Sequence, residues 1–265
     1  MLTDWDTLYR WVWFHRELGL PGFRERKRHS PAAFKQIMDS VGGSSVLDSS
    51  CGFGLKTLVM HDLGLRVMGS DGCEFAVRKA RELAGSEGQA VEYFTARWEE
   101  LPERTAHRFD GIFNDALSWI TTRAEFEASL RGLCGALRPG GVLVFMGAAE
   151  GSPSDTESRR QLLEREWQRK PRFSIEWRYE IEATRCTSLL VREKGDTYID
   201  EHHVFVVEES GARRLETATI RQPLCWHWPL LVEMLRGAGF SRVETRTFPG
   251  QGQGGADFSL NVATR

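Results

Sequence analysis

The sequence predicts a doubly wound α/β fold whose mostly parallel sheet is preceded by an N-terminal helical segment and interrupted by an antiparallel β insert. Three observations carry that expectation. From Ser45 to about residue 150, short apolar strands alternate with amphipathic helical stretches, the pattern of parallel βαβ units. The first of these strands, VLDSSCGFG, runs straight into a glycine-bearing turn ahead of a helix. Beyond residue 150 the apolar period drops to two, as antiparallel strands require.

Four regions follow from these patterns. Residues 1–44 form a helical lid, rich in Trp5, Tyr9, Trp11, Trp13, Phe14 and Phe23, with SPAAFKQIMDSV as a helix capped by Ser30 and opened by Pro31. Residues 45–150 form the core, with SSVLDSSC and LRVMGSD as its first two strands and HRFDGIFNDAL and GGVLVFMGA as later ones. CEFAVRKARELA and FEASLRGLCGAL are its crossover helices. Residues 151–225 read as one helix, about Thr156 to Lys170, and an insert of three or four strands turning at KGD and ESG. Residues 226–265 supply a last helix, HWPLLVEMLRGAGF, and a closing strand pair around the loop GQGQGG.

Composition bounds the function. The 265 residues carry a net charge of −2, so no overall positive field draws the chain to nucleic acid or anionic lipid. The dense basic run Arg24, Arg26, Lys27 and Arg28 reads first as a solvated helix face. Five cysteines without a C-x-x-C spacing argue against a disulfide framework or a structural zinc site. Asp4 and Asp6 and the lack of a long apolar stretch argue against a signal peptide, and no run reaches the roughly 18 residues that span a bilayer. A cytoplasmic enzyme is expected, with no bound metal and no nucleic acid or membrane partner.

The chemistry concentrates at two strand ends. Gly52 and Gly54 let the backbone turn tightly and approach a ligand at the carboxyl edge of the sheet. Asp71, 23 residues after Asp48, ends the second strand where a carboxylate accepts both hydroxyls of a ribose. Both positions point at one nucleoside. A dinucleotide would need a third glycine opening the helix for its pyrophosphate, and Leu55-Lys56-Thr57 stands there instead.

VLDSSCGFG, VMGSD, FDGIFNDAL and LRPGGVLVF, in that order, resemble the successive motifs of class I S-adenosylmethionine-dependent methyltransferases, with Ser50 in place of the first glycine of D-x-G-x-G-x-G. The resemblance implies a seven-stranded, Rossmann-like sheet and S-adenosyl-L-methionine as cofactor. Within the class the chain looks most like the glycine and sarcosine N-methyltransferases, which share the aromatic N-terminal segment, the antiparallel insert and a D-x-x-C-G-x-G turn. By that similarity Asp48 and the turn Ser49, Ser50, Cys51, Gly52 and Gly54 line the methionine end, and Asp71 with Gly72 holds the ribose. Arg97 and Trp98 flank the adenine, Asp115 stands near the transferred methyl, Asn114 is a further cofactor-binding residue, and Arg26 or Arg28 pairs with the methionine carboxylate. The resemblance fails at the substrate, because Leu117 and Ala148 occupy the places of the asparagine and arginine that grip the amino-acid carboxylate in that group.

The expected function is therefore transfer of a methyl group to nitrogen or oxygen of a small-molecule acceptor. Asp115 and Glu150 are the candidates to orient the nucleophile or take its proton, and His227, between Trp226 and Trp228, is a third. His202 and His203 share an alternating strand, so one faces in and one out, and packing is their plainer role. Two alternatives stand beside this reading. An RNA or protein methyltransferase would dock through the basic run and weaken steeply with salt. A non-catalytic module would bind adenosyl ligands and transfer nothing. Expected partners are the small acceptor and, in a homo-oligomer, further copies of the chain.

Overall fold

A computed structural model of the chain describes residues 4–15, 27–106, 108–252 and 256–265. In chain order the elements are α1 (Asp4–Phe14), α2 (His29–Ser40), β1 (Ser45–Asp48), α3 (Leu55–Asp62), β2 (Arg66–Asp71), α4 (Glu74–Ser86), β3 (Glu92–Thr95), a 3-10 turn (Trp98–Glu100) and α5 (Leu101–Arg104). Then come β4 (Phe109–Asn114), α6 (Arg123–Ala136), β5 (Leu137–Phe145), α7 (Thr156–Gln168), β6 (Phe173–Ile181), β7 (Thr184–Lys194), β8 (Tyr198–Glu209) and β9 (Ala212–Pro223). The chain closes with α8 (Trp228–Gly237), β10 (Arg242–Phe248) and β11 (Phe258–Thr264). They form two compact units, one joining α1 to residues 153–225 and the other holding α2 through Ser152 together with residues 226–265.

The larger unit is built on a seven-stranded sheet in the order β10-β11-β5-β4-β1-β2-β3, with β11 antiparallel to both its neighbours. Strands β1 to β5 pair in parallel, and the order reverses beside β1, between β2 and β4. Loops at the carboxyl ends of those strands diverge there and leave a crevice for a ligand. The central strands are buried on both faces. Ile112 packs with Leu47, Leu143 and α6 on one side, whereas its neighbour Phe113 packs with Val46, Val144 and Phe34 of α2 on the other. Asp110 fixes the start of β1, its Oδ2 accepting the N–H groups of Ser44 and Ser45 at 3.0 and 2.9 Å while Arg138 pairs with Oδ1.

The smaller unit carries the sheet β6-β7-β8-β9, antiparallel throughout. Helix α1 buries Thr7 and Trp11 against it, four residues apart on one helix face. The Trp11 indole donates to Glu216 Oε2 at 2.8 Å and stacks on Phe205 at 6.0 Å. Arg192, almost fully buried, donates to the carbonyls of Glu166, Trp167 and Lys170 and so caps the C-terminal end of α7. Burial lowers the pKa of His203, while His202 Nδ1 meets Thr219 Oγ1 at 3.0 Å.

The structure corrects the sequence reading in two places and gives the insert the larger of its two expected strand counts. Helix α2 starts at His29 with Arg28 as its N-cap, and the Ser30 hydroxyl is buried without a hydrogen-bond partner among the described residues, so it caps nothing. Pro31 is still tolerated there, because N–H groups of a first helical turn have no intrahelical acceptor. Strand β3 was absent from the strands read out above, being four residues long at the sheet edge. The insert has four strands, its first turn made at Glu182 with φ of 53°, where no glycine, proline or asparagine marks the bend. Of the loop GQGQGG, residues 253–255 lie outside the described residues, as do Phe23, Arg24 and Arg26.

Candidate active site

The tips of β1, β2 and β4 converge on the turn Ser49–Gly54. Gly52 and Gly54 adopt φ of 50° and 82°, left-handed values that side chains disfavour. A Cβ on Gly54 would also stand 2.7 Å from Tyr93 Oη, so the turn depends on glycine there twice over. The Gly52 N–H donates to Asp71 Oδ2 at 2.9 Å, and the Cys73 N–H donates to Asp71 Oδ1 at 2.9 Å. The Asp71 carboxylate thus stitches the first turn to the second and is aimed at their common edge. A Cβ on Gly72 would meet nothing within 4 Å, so the space beside that carboxylate is open.

Behind the turn the polar groups are tightly held. Ser49 donates from Oγ to the Phe113 carbonyl at 3.1 Å and accepts from Asn114 Nδ2 at 2.9 Å. Asn114 Oδ1 in turn accepts the N–H groups of Ala116 and Leu117 at 2.9 and 2.8 Å. This buried asparagine therefore ties the β4 turn to the β1 turn. Trp98, half-buried, donates its indole N–H to the Ser49 carbonyl at 2.5 Å, while Arg97 reaches outward to Glu99 at 2.8 Å. Cys51 is buried, and its thiol pKa is pushed well up by that burial and by Asp71 and Asp48.

Two acidic groups end β1 and follow β4. Asp48 is buried, with Thr57 Oγ1 donating to its Oδ2 at 2.7 Å and its Oδ1 lacking a hydrogen-bond partner among the described residues. Burial, then the nearby Asp115 charge, push its pKa up to about 7, partly offset by Thr57 and Lys56. Asp115 is bound on both oxygens: Ser50 Oγ donates to Oδ1 at 2.8 Å, and the Lys56 ammonium pairs with Oδ2. The Asp115 N–H returns a bond to Ser50 Oγ at 3.1 Å. The serine that replaces a glycine of the motif is thus the hydroxyl that locks the β4 turn to the β1 turn. Lys56, unread as a site residue in the sequence, lies 5.6 Å from the Phe113 ring centroid.

The remaining predicted residues make other contacts or serve as caps. Glu150 is exposed five residues beyond β5, its N–H donating to Thr245 Oγ1 at 2.8 Å. His227 is the N-cap of α8, Nδ1 accepting the Leu230 N–H at 3.5 Å. Arg28 is the N-cap residue of α2. Leu117 is fully buried in the core and Ala148 packs against it.

The groups present fit an adenosyl cofactor: a rigid acceptor-only carboxylate suits vicinal ribose hydroxyls, and a glycine turn admits close approach. Comparison with known proteins agrees. Residues 46–141 match the family model described as a methyltransferase domain. A ubiquinone biosynthesis O-methyltransferase of Nitrosococcus oceani is 34% identical over 107 residues, covering 40% of this chain and 44% of that protein. Its counterpart in Idiomarina loihiensis is 30% identical over 107 residues, covering 40% and 43%. The match thus spans less than half the length of either curated relative. Among solved structures, the sugar N-methyltransferase KedS8 from Streptoalloteichus superposes with a TM-score of 0.66 at 16% identity over 96% of this chain and 92% of that one. The S-adenosylmethionine-bound amino pentose methyltransferase CalS10 from Micromonospora echinaspora gives 0.58 at 16% identity over 90% and 91%. The switch point, the glycine turn and the segment that matches a methyltransferase-domain model fall on the same strands, and the fold is the Rossmann-like methyltransferase fold.

Proposed function

We propose that the chain transfers the methyl group of S-adenosylmethionine to a nitrogen or oxygen atom of a small-molecule acceptor. The observation that carries this reading is the Asp71 carboxylate held by Gly52 and Cys73, which joins two strand tips into one nucleoside cradle. When bound, the cofactor supplies a methyl already activated on a sulfonium, so the protein has to align a nucleophile and exclude water. Asp71 holds the ribose, the turn Ser49–Gly52 faces the methionine end, and Trp98 buttresses that turn through the Ser49 carbonyl.

Asp115, with Lys56 on one oxygen and Ser50 on the other, is better suited to positioning than to taking a proton. Nitrogen and oxygen both remain in the proposal, because the curated relatives are named O-methyltransferases and the solved folds above are a sugar N-methyltransferase and an amino pentose methyltransferase. An amino-acid acceptor is not proposed, since Leu117 and Ala148 carry no donor or charge to grip its carboxylate. The test is incubation with labelled methyl donor and a panel of amino sugars, simple amines and phenols. Label in one of these classes supports the reading; cofactor binding without transfer to any panel member points instead to a binding module.

A further inference from the structure

Lys56 is a cation at a position that its own helix disfavours. It stands in the first turn of α3, right after the Gly54 N-cap, where the helix dipole disfavours a cation. The carboxylate of its own helix, Asp62, is six residues on and off the i+3 and i+4 positions, and the partner of Lys56 comes from across the sheet edge, after β4. The ammonium and the Asp115 carboxylate are both partly solvent-accessible, at 20% and 26% side-chain exposure, so a ligand can reach each. Ser50 fixes Asp115 through a reciprocal pair of hydrogen bonds at 2.8 and 3.1 Å, which holds the acidic half of the pair in place. The two opposite charges thus flank the same turn that faces the methionine end in the proposed function.

We infer that Lys56 and Asp115 form a zwitterion clamp: Lys56 takes the α-carboxylate of the cofactor's methionine end, and Asp115 takes its α-ammonium. This rests on the cofactor reading above. The ligand presents one positive and one negative group on a single carbon, and the protein presents one of each on a rigid edge. Binding exchanges the internal ion pair for two ligand ion pairs, so no charge is left unpartnered on either side. The clamp also assigns the carboxylate contact to a residue of the core rather than to Arg28, which begins α2.

The test compares two ligands by calorimetric titration of the full chain: S-adenosylhomocysteine, which has the amino-acid end, and 5′-methylthioadenosine, which lacks it. Lys56→Met is expected to weaken S-adenosylhomocysteine at least tenfold and leave methylthioadenosine within about twofold, with Lys56→Arg restoring most of the loss. The expected loss corresponds to about 1.4 kcal/mol. Equal affinity of wild type and Lys56→Met for S-adenosylhomocysteine overturns the clamp, as does the selective loss appearing in Arg28→Gln instead. Parallel loss of both ligands in Lys56→Met makes the pair a structural brace and also overturns it. Failure of the wild type to bind either ligand defeats the cofactor reading itself, a separate outcome from these.

Discussion

Replacing Asp48 by asparagine tests the electrostatics of the site without changing its shape. Burial of the wild-type carboxyl pushes its pKa up to about 7 in the folded chain, from an ordinary value of 3.8. The folded protein therefore holds a proton that the unfolded chain releases between those two values. The contribution of this group to stability is fully present below pH 3.8, falls as pH rises through the window, and levels off above pH 7. Each pKa unit corresponds to about 1.4 kcal/mol, so the ionised form costs about 4 kcal/mol at pH 8. Asparagine keeps an acceptor for Thr57 Oγ1 and cannot ionise. Urea unfolding followed by tryptophan fluorescence from pH 4 to pH 8.5 should show Asp48→Asn more stable than wild type by up to about 4 kcal/mol at the alkaline end, with the two converging near pH 4. Parallel pH profiles, or a variant less stable at pH 8, would refute the placement of an ionisable group in a dry pocket.

Other expectations follow from the packing and the turns. Phe34→Ala removes a fully buried ring that lies 5.4 Å from the Phe113 ring and should cost about 3–5 kcal/mol in denaturant titrations. Gly54→Ala forces a side chain into a left-handed conformation against Tyr93 and should lower both the melting temperature and adenosyl-ligand affinity; an unchanged affinity would remove the turn from the site. Asp110 has a lowered pKa, since the burial that raises it is outweighed by the Ser45 and Ser44 N–H groups and Arg138. Its contribution is present above the unfolded carboxylate value and lost as pH falls through the folded one. Asp110→Asn should therefore cost about 1–3 kcal/mol at pH 7 and almost nothing near pH 2, read as the gap between the two unfolding curves.

The parallel core was legible because its strands are apolar on both faces and end in chemistry-bearing turns. Asp48, Gly52 and Asp71 stand where strand ends place them, and the Asp71 hydrogen bonds join the two turns that spacing alone had linked. What escaped the sequence has physical reasons. Strand β3 is four residues long, and the Glu182 turn is formed by a residue with no intrinsic preference for positive φ. The tie from Ser50 to Asp115 was not legible, because that bond spans residues 65 apart and leaves no local trace. Lys56 went unread for the same reason: its partner is fixed only by the pairing of β1 with β4. Asn114 was foreseen at the site by resemblance, yet its bonds to Ser49, Ala116 and Leu117 show it bracing the two turns.

Thermal or chemical denaturation with S-adenosylhomocysteine tests most directly whether the joined tips of β1 and β2 hold an adenosyl group. At about a hundred times its dissociation constant the ligand should stabilise the wild type by roughly 2.7 kcal/mol, and Asp71→Ala should lose most of that gain. A wild-type unfolding transition unmoved by saturating ligand, or an Asp71→Ala protein stabilised as fully as the wild type, would contradict it.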